Sequence, residues 1–508
     1  MLRAVRGGRA LPQSAPGLSR VGVSVAEEGL MAARTAAVGG STDWIERQFH
    51  VRAAGSTIGT EVRGGITNFL VMSYILVVNA IILSGAGIPF PAVVAATALM
   101  AALFTAGMAL WANYPYAGAA GLGINAVVAF GLVKGAGLSW QGAMGVVALE
   151  GLAICVAMAL GVRKALLDAV PVPIKLGIGA GIGAFIFAIG FFNGGLAVGT
   201  GNPSDPVALG NLNSGTAIVT IGGLLLTAFL YARNVKGALI LGIIGATIIG
   251  IAVNAATAGA TYGALPGVAV MPKTLFSTPD FSTIGAVFTS VNGSFALLEV
   301  FKLGFFVAIL TIFSLMLSDF FDTAGTVVSV ASEGGWLKKD GSIDRADRVF
   351  WVDSLGALFG GIFGTSSNTT YIESGAGVAE GAKTGLASLV TAVLFLLAIF
   401  LAPIAGIVPQ QATAPALMLV GWFMFKPILD LNKIGNIDFA TGFAVLLTLF
   451  VMPLTYSITN GVGAGFIAYS ALKVASGKAK EVSLPLWVAT AAFAIYFADP
   501  WLRHFLSQ

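Results

Sequence analysis

The sequence has 508 residues, of which 57% are hydrophobic and only 10% are charged, and its mean hydropathy is +0.90. Soluble domains carry about 25% charged residues, so this composition excludes an ordinary soluble protein and indicates a polytopic membrane protein. The formal net charge is +4, and the single cysteine, Cys155, excludes a disulfide bond within the chain.

The N-terminal residues 1–43 are rich in Arg, Gly and Ala. They contain no apolar stretch of about 7–15 residues, so they do not have the pattern of a secretory signal. We predict that they form a disordered tail. Two alternatives stay open: translation from Met31, because the residues before it show no structural pattern, and an organelle transit peptide.

Apolar segments of about 17–25 residues recur from residue 64 onward, and each is long enough to cross a bilayer as a helix. We predict an all-α polytopic fold with about fourteen spans, seven in each half. The spans cover residues 64–84, 90–111, 118–134, 139–162, 174–193, 216–232, 237–255, 304–330, 344–363, 368–381, 384–406, 412–430, 438–453 and 458–475. An odd number per half makes the second half enter from the opposite side, as in the inverted-topology repeats of secondary transporters.

Basic residues fall on alternate connections between the spans, and Lys and Arg cluster on the cytoplasmic side of membrane proteins. With a cytoplasmic N-terminus, the even-numbered connections carry Arg163, Lys164, Arg233, Lys236, Lys338, Lys339, Arg345, Arg348, Lys383, Lys426 and Lys433. The odd-numbered connections have almost no basic residue beyond Lys273. The last apolar segment, 483–499, is predicted as an interfacial or re-entrant helix, with a fifteenth span as the alternative.

The third and tenth spans differ from the others because both are short, rich in Gly and interrupted. They read YPYAGAAGLGINAVVAFGL and GGIFGTSSNTTYIESGAGV. Short broken segments at matching positions in two halves indicate the binding site of a transporter. We therefore predict that SSNTT is extended, since β-branched threonines favour that conformation, and that a half-helix begins near Tyr371.

Glu373 is predicted to stand in the first turn of this half-helix, near the middle of the membrane. An ionisable side chain at that depth is costly and is usually functional. The helix N-terminus favours the ionised carboxylate, whereas desolvation favours the protonated acid, so the group is suited to proton coupling. The alternative is that Glu373 only satisfies free N–H groups of the half-helix.

Asp319 and Asp322, in LSDFFDTAGT, lie at positions i and i+3 on one face of the eighth span. Two carboxylates on one face of a membrane-spanning helix are candidates for binding a ligand or a proton. The alternative is that one of them caps or pairs with a neighbour, and the spacing leaves open which one faces a ligand.

Other polar side chains in the broken segments can complete a binding site. Asn125 offers both hydrogen-bond donors and an acceptor, and Thr369 and Thr370 offer hydroxyls. The alternatives are that Asn125 caps the helix break and that the threonines only reflect β-propensity. Glu150 and Asp353 are expected to pair structurally or to reach an interface.

No metal or cofactor is expected, because His50 and His504 lie outside the spans and no phosphate-binding loop of the G-x-x-x-x-G-K-[ST] type occurs. Carboxylates combined with Asn and Thr, without Lys or Arg in the broken segments, disfavour anions. They favour a planar heterocycle whose N–H groups donate to a carboxylate. Tyr74, Phe130 and Tyr371 are aromatic residues that can stack on such a ring, although packing is the favoured explanation for them.

Five segments together resemble the adenine/guanine/hypoxanthine permeases, the AzgA-like branch of the nucleobase-cation symporter-2 superfamily. They are EVRGGITNFLVMSYILVVNAIILS, NYPYAGAAGLGINAVVAF, DFFDTAGTVVSVAS, GTSSNTTYIESGAGVAEGAKTGL and MPLTYSITNGVGAGF, and the resemblance covers about residues 44–475. It places the family's acidic residue of the eighth helix on Asp319 or Asp322, that of the tenth on Glu373, and the asparagine of the third on Asn125. The residues that follow Asn125 and the segment SSN (366–368) differ from those of relatives. These differences leave the preferred purine open.

The resemblance also implies fourteen helices in two inverted repeats, with proton-coupled purine uptake across the plasma membrane by an elevator-like slide, often in a homodimer. The implied core domain comprises residues 44–165 and 297–410, and the gate domain comprises 166–296 and 411–508. A uracil or xanthine carrier of the same fold is the first competing hypothesis. A channel is the second, and a membrane-embedded enzyme that uses Asp319, Asp322 and Glu373 is the third.

Overall fold

The computed structural model describes residues 44–161, 170–202, 204–256, 274–291, 293–338, 342–433 and 437–506. The predicted tail 1–43 and the predicted inside residues Arg163, Lys164 and Lys339 lie outside these ranges, as does Lys273. Residues 44–49 form a short helical segment in a unit of their own, and residues 51–506 belong to a second unit.

Besides the helical segment at residues 44–49, the first half of the fold contains eight α-helices within the described residues. They are α1 (Ile58–Met72), α2 (Ile75–Ser84), α3 (Phe90–Gly107), α4 (Leu122–Ala126), α5 (Trp140–Ala159), α6 (Val172–Asn193), α7 (Gly215–Ala232) and α8 (Ala238–Ala256). Hydroxyl side chains cap several of them: Ser139 accepts a hydrogen bond from the N–H of Gly142 at the start of α5. Helix α3 continues as π-helix over Met108–Ala112, and α4 continues in the same way over Val127–Gly135.

The second half contains nine further α-helices in the described ranges. They are α9 (Phe305–Gly334), α10 (Ala346–Phe363), α11 (Ser374–Ala379), α12 (Gly385–Ala398), α13 (Ala402–Ala405), α14 (Gln410–Phe425), α15 (Phe439–Thr455), α16 (Ile458–Ala475) and α17 (Leu484–Leu506). Helix α5 packs along α10, and α6 packs against both α14 and α15. Helix α17 covers the last predicted segment and packs on α16, where the ring of Phe493 meets Phe466 edge-on.

Nine helical segments of the described chain are long and apolar enough to cross a membrane. They coincide with the first, second, fourth to eighth, eleventh and twelfth predicted spans. The third, ninth, tenth, thirteenth and fourteenth predicted spans coincide with helices that are shorter or less apolar. The first span also begins earlier than predicted, at Ile58, and is interrupted between Met72 and Ile75. The total of fourteen spans therefore stays a prediction.

Six short strands form three antiparallel pairs in the described residues. They are β1 (Gly118–Ala120), β2 (Ala197–Asn202), β3 (Asp205–Leu209), β4 (Ser290–Val291), β5 (Ser294–Phe295) and β6 (Asn368–Thr370). Strands β2 and β3 form one hairpin and β4 and β5 another, whereas β1 pairs with the distant β6, with Gly118 opposite Thr370 and Ala120 opposite Asn368. Both β1 and β6 are fully buried, which agrees with the rule that extended backbone inside a membrane protein must be covered by protein.

Near the C-terminus, a polar network joins α15 to α16. The carboxylate of Asp438 caps α15 by accepting a hydrogen bond from the N–H of Thr441, and it accepts another from Lys473 at 2.8 Å. These hydrogen bonds hold the pKa of Asp438 well below its usual range. Lys473 also contacts Glu481, so one ammonium group holds both helices and the connection to α17.

Glycines allow α5 and α10 to approach at backbone distance, and this contact leads to a stability prediction. A Cβ atom built on Gly151 lies 2.5 Å from the Cα of Leu358 and also meets its backbone nitrogen. Because backbone cannot yield as a side chain can, we expect Gly151→Ala to destabilise the protein by about 1–3 kcal/mol. The melting temperature of the purified protein in detergent measures this loss.

The matched control is Gly179→Ala on α6, since a Cβ atom there meets nothing within 4 Å. Ala is a better helix former than Gly by about 1 kcal/mol, so this variant should melt at the wild-type temperature or above it. Equal melting temperatures for the two variants would show that the close contact at Gly151 is absent in the protein.

Candidate functional site

The two interrupted segments meet in the buried interior through the pair formed by β1 and β6. The N–H of Gly121, just after β1, donates to the carbonyl of Ser367, just before β6, at 2.7 Å. The helices α4 and α11 follow the two strands closely, so the side chains of both helix starts lie near this junction. The third and tenth predicted spans are thus brought together through backbone hydrogen bonds.

Glu373 is the residue immediately before α11, one position earlier than a first-turn residue. Its carboxylate is half-buried and accepts a hydrogen bond from the hydroxyl of Tyr74 at 2.8 Å. Tyr74 is buried and lies at the interruption between α1 and α2. The break in the first span therefore positions a hydroxyl donor against the carboxylate of the tenth span.

Asp322 and Tyr371 are two further titratable groups close to Glu373. The carboxylates of Asp322 and Glu373 lie within the range of direct electrostatic interaction. Tyr371 lies near both and donates its own hydroxyl hydrogen to the carbonyl of Ala120, which fixes its ring between β1 and α11. No ion pair among the described residues includes Asp322 or Glu373, so neither carboxylate is neutralised by a Lys or Arg.

Asp319 has different neighbours from Asp322, although the spacing predicts that the two act on one face of the same helix. It is almost fully buried and accepts a hydrogen bond from the hydroxyl of Ser367 at 2.9 Å. Its carboxyl group also lies against that of Glu150, on α5. In this structure Asp322 is therefore the aspartate beside Glu373, and Asp319 lies in a second polar cluster.

Asp353, on α10, holds strand β6 in place. Its two carboxylate oxygens accept hydrogen bonds from the hydroxyl of Thr323 at 2.7 Å and from the backbone N–H and hydroxyl of Thr370, both at 3.0 Å. Thr369 is hydrogen-bonded to Thr323 at 2.7 Å. The hydroxyls of Thr369 and Thr370 thus already have protein partners, which favours a structural role for them.

Asn125 lies on α4 and is completely buried. Within the described part of the chain, neither its side-chain oxygen nor its side-chain nitrogen has a hydrogen-bond partner. Buried amides are normally paired, and an unpaired one requires an explanation such as a bound ligand or water. Among the predicted site residues, Asn125 is therefore the one whose side-chain donor and side-chain acceptor are both free in the described part of the chain.

Two polar residues of α1 were missed by sequence reasoning and brace the segment after β6. The side-chain oxygen of Asn68 accepts a hydrogen bond from the N–H of Gly377 at 2.8 Å. The carboxylate of Glu61 accepts hydrogen bonds from the N–H groups of Lys383 and Thr384 at 2.9 and 3.3 Å. These contacts join positions that are far apart in sequence, so no local pattern could reveal them.

A comparison with protein families and curated proteins places the chain among permeases. The model of the Permease family matches residues 59–464. A guanine/hypoxanthine permease of Bacillus subtilis is 38% identical over 460 residues, which cover 88% of this chain and 98% of that protein. An adenine permease of Escherichia coli is 36% identical over 439 residues, which cover 86% of this chain and 92% of that protein.

Among solved structures, the transmembrane domain of a cyanobacterium bicarbonate transporter has a similar fold. The TM-score is 0.54, and the match covers 80% of this chain and 97% of that domain. The sequence identity is 15%, so this likeness concerns the fold alone.

Proposed function

The chain belongs to the Permease family, and we propose that it transports purine nucleobases, namely adenine, guanine or hypoxanthine, in symport with protons. It is a multi-pass membrane protein with nine candidate spans in its described part. The relatives named as adenine and guanine/hypoxanthine permeases support the substrate class. The observation that carries the proposal is the junction of β1 with β6, where Glu373, Asp322 and Asn125 offer hydrogen-bonding capacity.

The chemistry of these side chains matches that of a purine. A carboxylate accepts up to about four hydrogen bonds, and Tyr74 is the side chain that donates to Glu373, so acceptor capacity is left for ring N–H or amino groups. The amide of Asn125 can donate to a ring nitrogen and accept from an amino group. Tyr74 and Tyr371 supply aromatic surface near the same carboxylate, although their hydroxyls are already engaged.

The placement of the two carboxylates supports the proposed proton coupling. Like charges at close range, in a partly desolvated site without a basic partner, disfavour the fully ionised pair. Binding of a proton to Glu373 or Asp322 would relieve the repulsion, and a purine N–H would then donate to the carboxylate that stays ionised. In our proposal, symport arises because binding of a proton and binding of the nucleobase favour each other at these two carboxylates.

We further propose an elevator-like movement of a core domain, residues 44–165 and 297–410, against a gate domain, residues 166–296 and 411–508. The pairing of β1 with β6 joins the third and tenth predicted spans, as expected for two inverted repeats of seven spans. In this arrangement the N-terminus lies on the cytoplasmic side of the plasma membrane, and a homodimer is the proposed assembly.

An uptake experiment tests the function. The chain is expressed in a bacterial strain that lacks its own purine permeases, and uptake of labelled adenine, guanine and hypoxanthine is measured with and without a protonophore. We expect saturable uptake of at least one purine, lost on addition of the protonophore. Unlabelled uracil and xanthine are added as competitors.

The outcome separates the competing functions within the family. If uracil or xanthine suppresses the uptake more strongly than unlabelled adenine, guanine or hypoxanthine does, that base is the preferred substrate and replaces the three in our proposal. Uptake that does not saturate would indicate a channel. No uptake of any base by a protein that is correctly inserted in the membrane would overturn the proposed function.

A further inference from the structure

Glu150 is a buried acid in the middle of α5, and neither the binding site nor a salt bridge accounts for it. Its exposed fraction is 0%. In the described part of the chain, neither of its carboxyl oxygens accepts a hydrogen bond from a protein N–H or O–H group. A buried carboxylate without a donor or a cation is strongly disfavoured, so the ionised form of Glu150 has no visible stabilisation here.

The partner of Glu150 is another acid. Its carboxyl group lies within hydrogen-bonding reach of Asp319, on α9. Two ionised carboxylates cannot hydrogen-bond to each other, because an ionised carboxylate only accepts, whereas a protonated one also donates. Asp319 already accepts a hydrogen bond from Ser367, which stabilises its ionised form. The arrangement therefore requires one proton between the two carboxyl groups.

The surrounding charges strengthen this requirement. Asp353 faces the pair from α10, and Asp322 acts on Asp319 from the next turn of α9. Glu299 packs against the N-terminal turn of α5, where it accepts a hydrogen bond from Ser139. All of these groups are acidic, and the ion pairs between described residues bring no Lys or Arg to Glu150, Asp319 or Asp353.

We propose that Glu150 and Asp319 form a second protonatable site, in which the two carboxyl groups share one proton. The site is separate from Glu373 and is linked to the β1–β6 junction through Ser367, which immediately precedes β6. Glu150 is a positioning residue in this role, since it acts through Asp319. Loss of the shared proton would place two adjacent negative charges beside β6 and push its segment out of place.

Infrared spectroscopy of the purified full-length protein tests the proton directly. A protonated carboxyl group has a C=O stretching band that an ionised carboxylate lacks. The difference spectrum between wild type and Glu150→Gln at neutral pH should show that one such band is lost. Asp205→Ala, at an exposed position in β3, is the control and should leave the band in place. A difference spectrum in which Glu150→Gln loses no carboxyl C=O band would overturn the proposal.

A second variant covers the case in which Glu150→Gln does not fold. Glu150→Asp keeps an acid but lengthens the hydrogen bond to Asp319, so the C=O band should persist at a shifted frequency. An unshifted band in Glu150→Asp would mean that the proton lies elsewhere, and it would overturn the proposal in the same way.

The role of the pair in transport rests on the proposed function and is tested by the pH dependence of purine uptake. Gln keeps an N–H donor for Asp319 but cannot lose a proton. We therefore expect Glu150→Gln to retain uptake within about twofold of wild type at neutral pH and to decline less than wild type at alkaline pH, where the coupling through Glu373 or Asp322 alone limits it. Glu150→Ala removes the partner of the Asp319 carboxyl group and should lower uptake by about tenfold or more.

The infrared test and the uptake test can each give a negative result independently of the other. If the wild-type protein carries no purine, the proposed function is wrong, while the infrared band still decides whether the pair holds a proton. If uptake occurs and the pH profiles of wild type and Glu150→Gln coincide, the pair has no part in transport and the coupling half of the proposal is overturned.

Discussion

Replacing Glu373 with Gln is expected to abolish proton-driven accumulation of purines. A hydrogen bond to a charged group contributes about 1.5–3 kcal/mol, which corresponds to roughly 10–150-fold in affinity. Gln also places an N–H₂ group where a purine N–H must donate, and it cannot exchange a proton. Because these effects act together, we expect initial uptake rates to fall by about a hundredfold or more, measured with labelled purine in cells.

The control for this prediction is Asp205→Ala, at an exposed position in β3. Surface substitutions away from a buried or hydrogen-bonded site usually change stability by no more than about 0.5 kcal/mol, so this variant should transport at nearly the wild-type rate. Near-normal accumulation by Glu373→Gln, at equal protein levels, would remove Glu373 from the coupling mechanism.

Several features of the fold could be predicted because they depend on local composition. Apolar length predicts helices, and the candidate spans of the described residues all fall on predicted ones. The Gly- and Thr-rich interruptions predict irregular or extended backbone in two places, and the strands Gly118–Ala120 and Asn368–Thr370 lie there. The resemblance to purine permeases is confirmed by the family match and by the named relatives, which are permeases and not enzymes.

The partners of the acidic residues could not be predicted because they come from distant parts of the chain. The hydrogen bond from Tyr74 to Glu373 joins residues that are 299 positions apart. The sequence shows that Tyr74 lies in an apolar span, but the helix interruption that turns its hydroxyl toward Glu373 has no Gly or Pro signal. Sequence reasoning therefore favours packing for Tyr74 and misses its hydrogen bond.

The i, i+3 separation of Asp319 and Asp322 also does not reveal that the two residues have different neighbours. Their separation of three residues places them on one face, yet β6 and α5 lie against one of them and α11 lies near the other. Which carboxylate faces a ligand depends on what packs there, so it is a tertiary property. The roles of both aspartates, and of Asn125, stay proposals until binding is measured.

Replacing Asp353 with Ala is expected to have the largest effect on stability. Asp353 accepts three hydrogen bonds that hold Thr323 and Thr370, and both of these residues are buried. Removing the acceptor leaves a backbone N–H and two hydroxyls to find new partners, at a cost of about 3–5 kcal/mol. The melting temperature in detergent and the yield of folded protein should both drop sharply.

Asp353→Asn gives the graded comparison for this prediction. Its amide keeps one oxygen that can accept from the N–H of Thr370, while a threonine hydroxyl can rotate to accept from the new N–H₂ group. We therefore expect the melting temperatures to fall in the order wild type, Asp353→Asn, Asp353→Ala. Asp205→Ala, at an exposed position, should melt like wild type.

Glu373 and Asp353 represent two kinds of intramembrane acid, which these variants separate. Glu373→Gln should lose transport while it keeps its melting temperature, because Glu373 is half-buried and one side-chain donor depends on it. Asp353→Ala should lose stability first, and transport only as a consequence. If Asp353→Ala has the same melting temperature as Asp205→Ala, strand β6 does not depend on Asp353 for its stability. The carboxylate of Asp353 then becomes a candidate for direct contact with the purine.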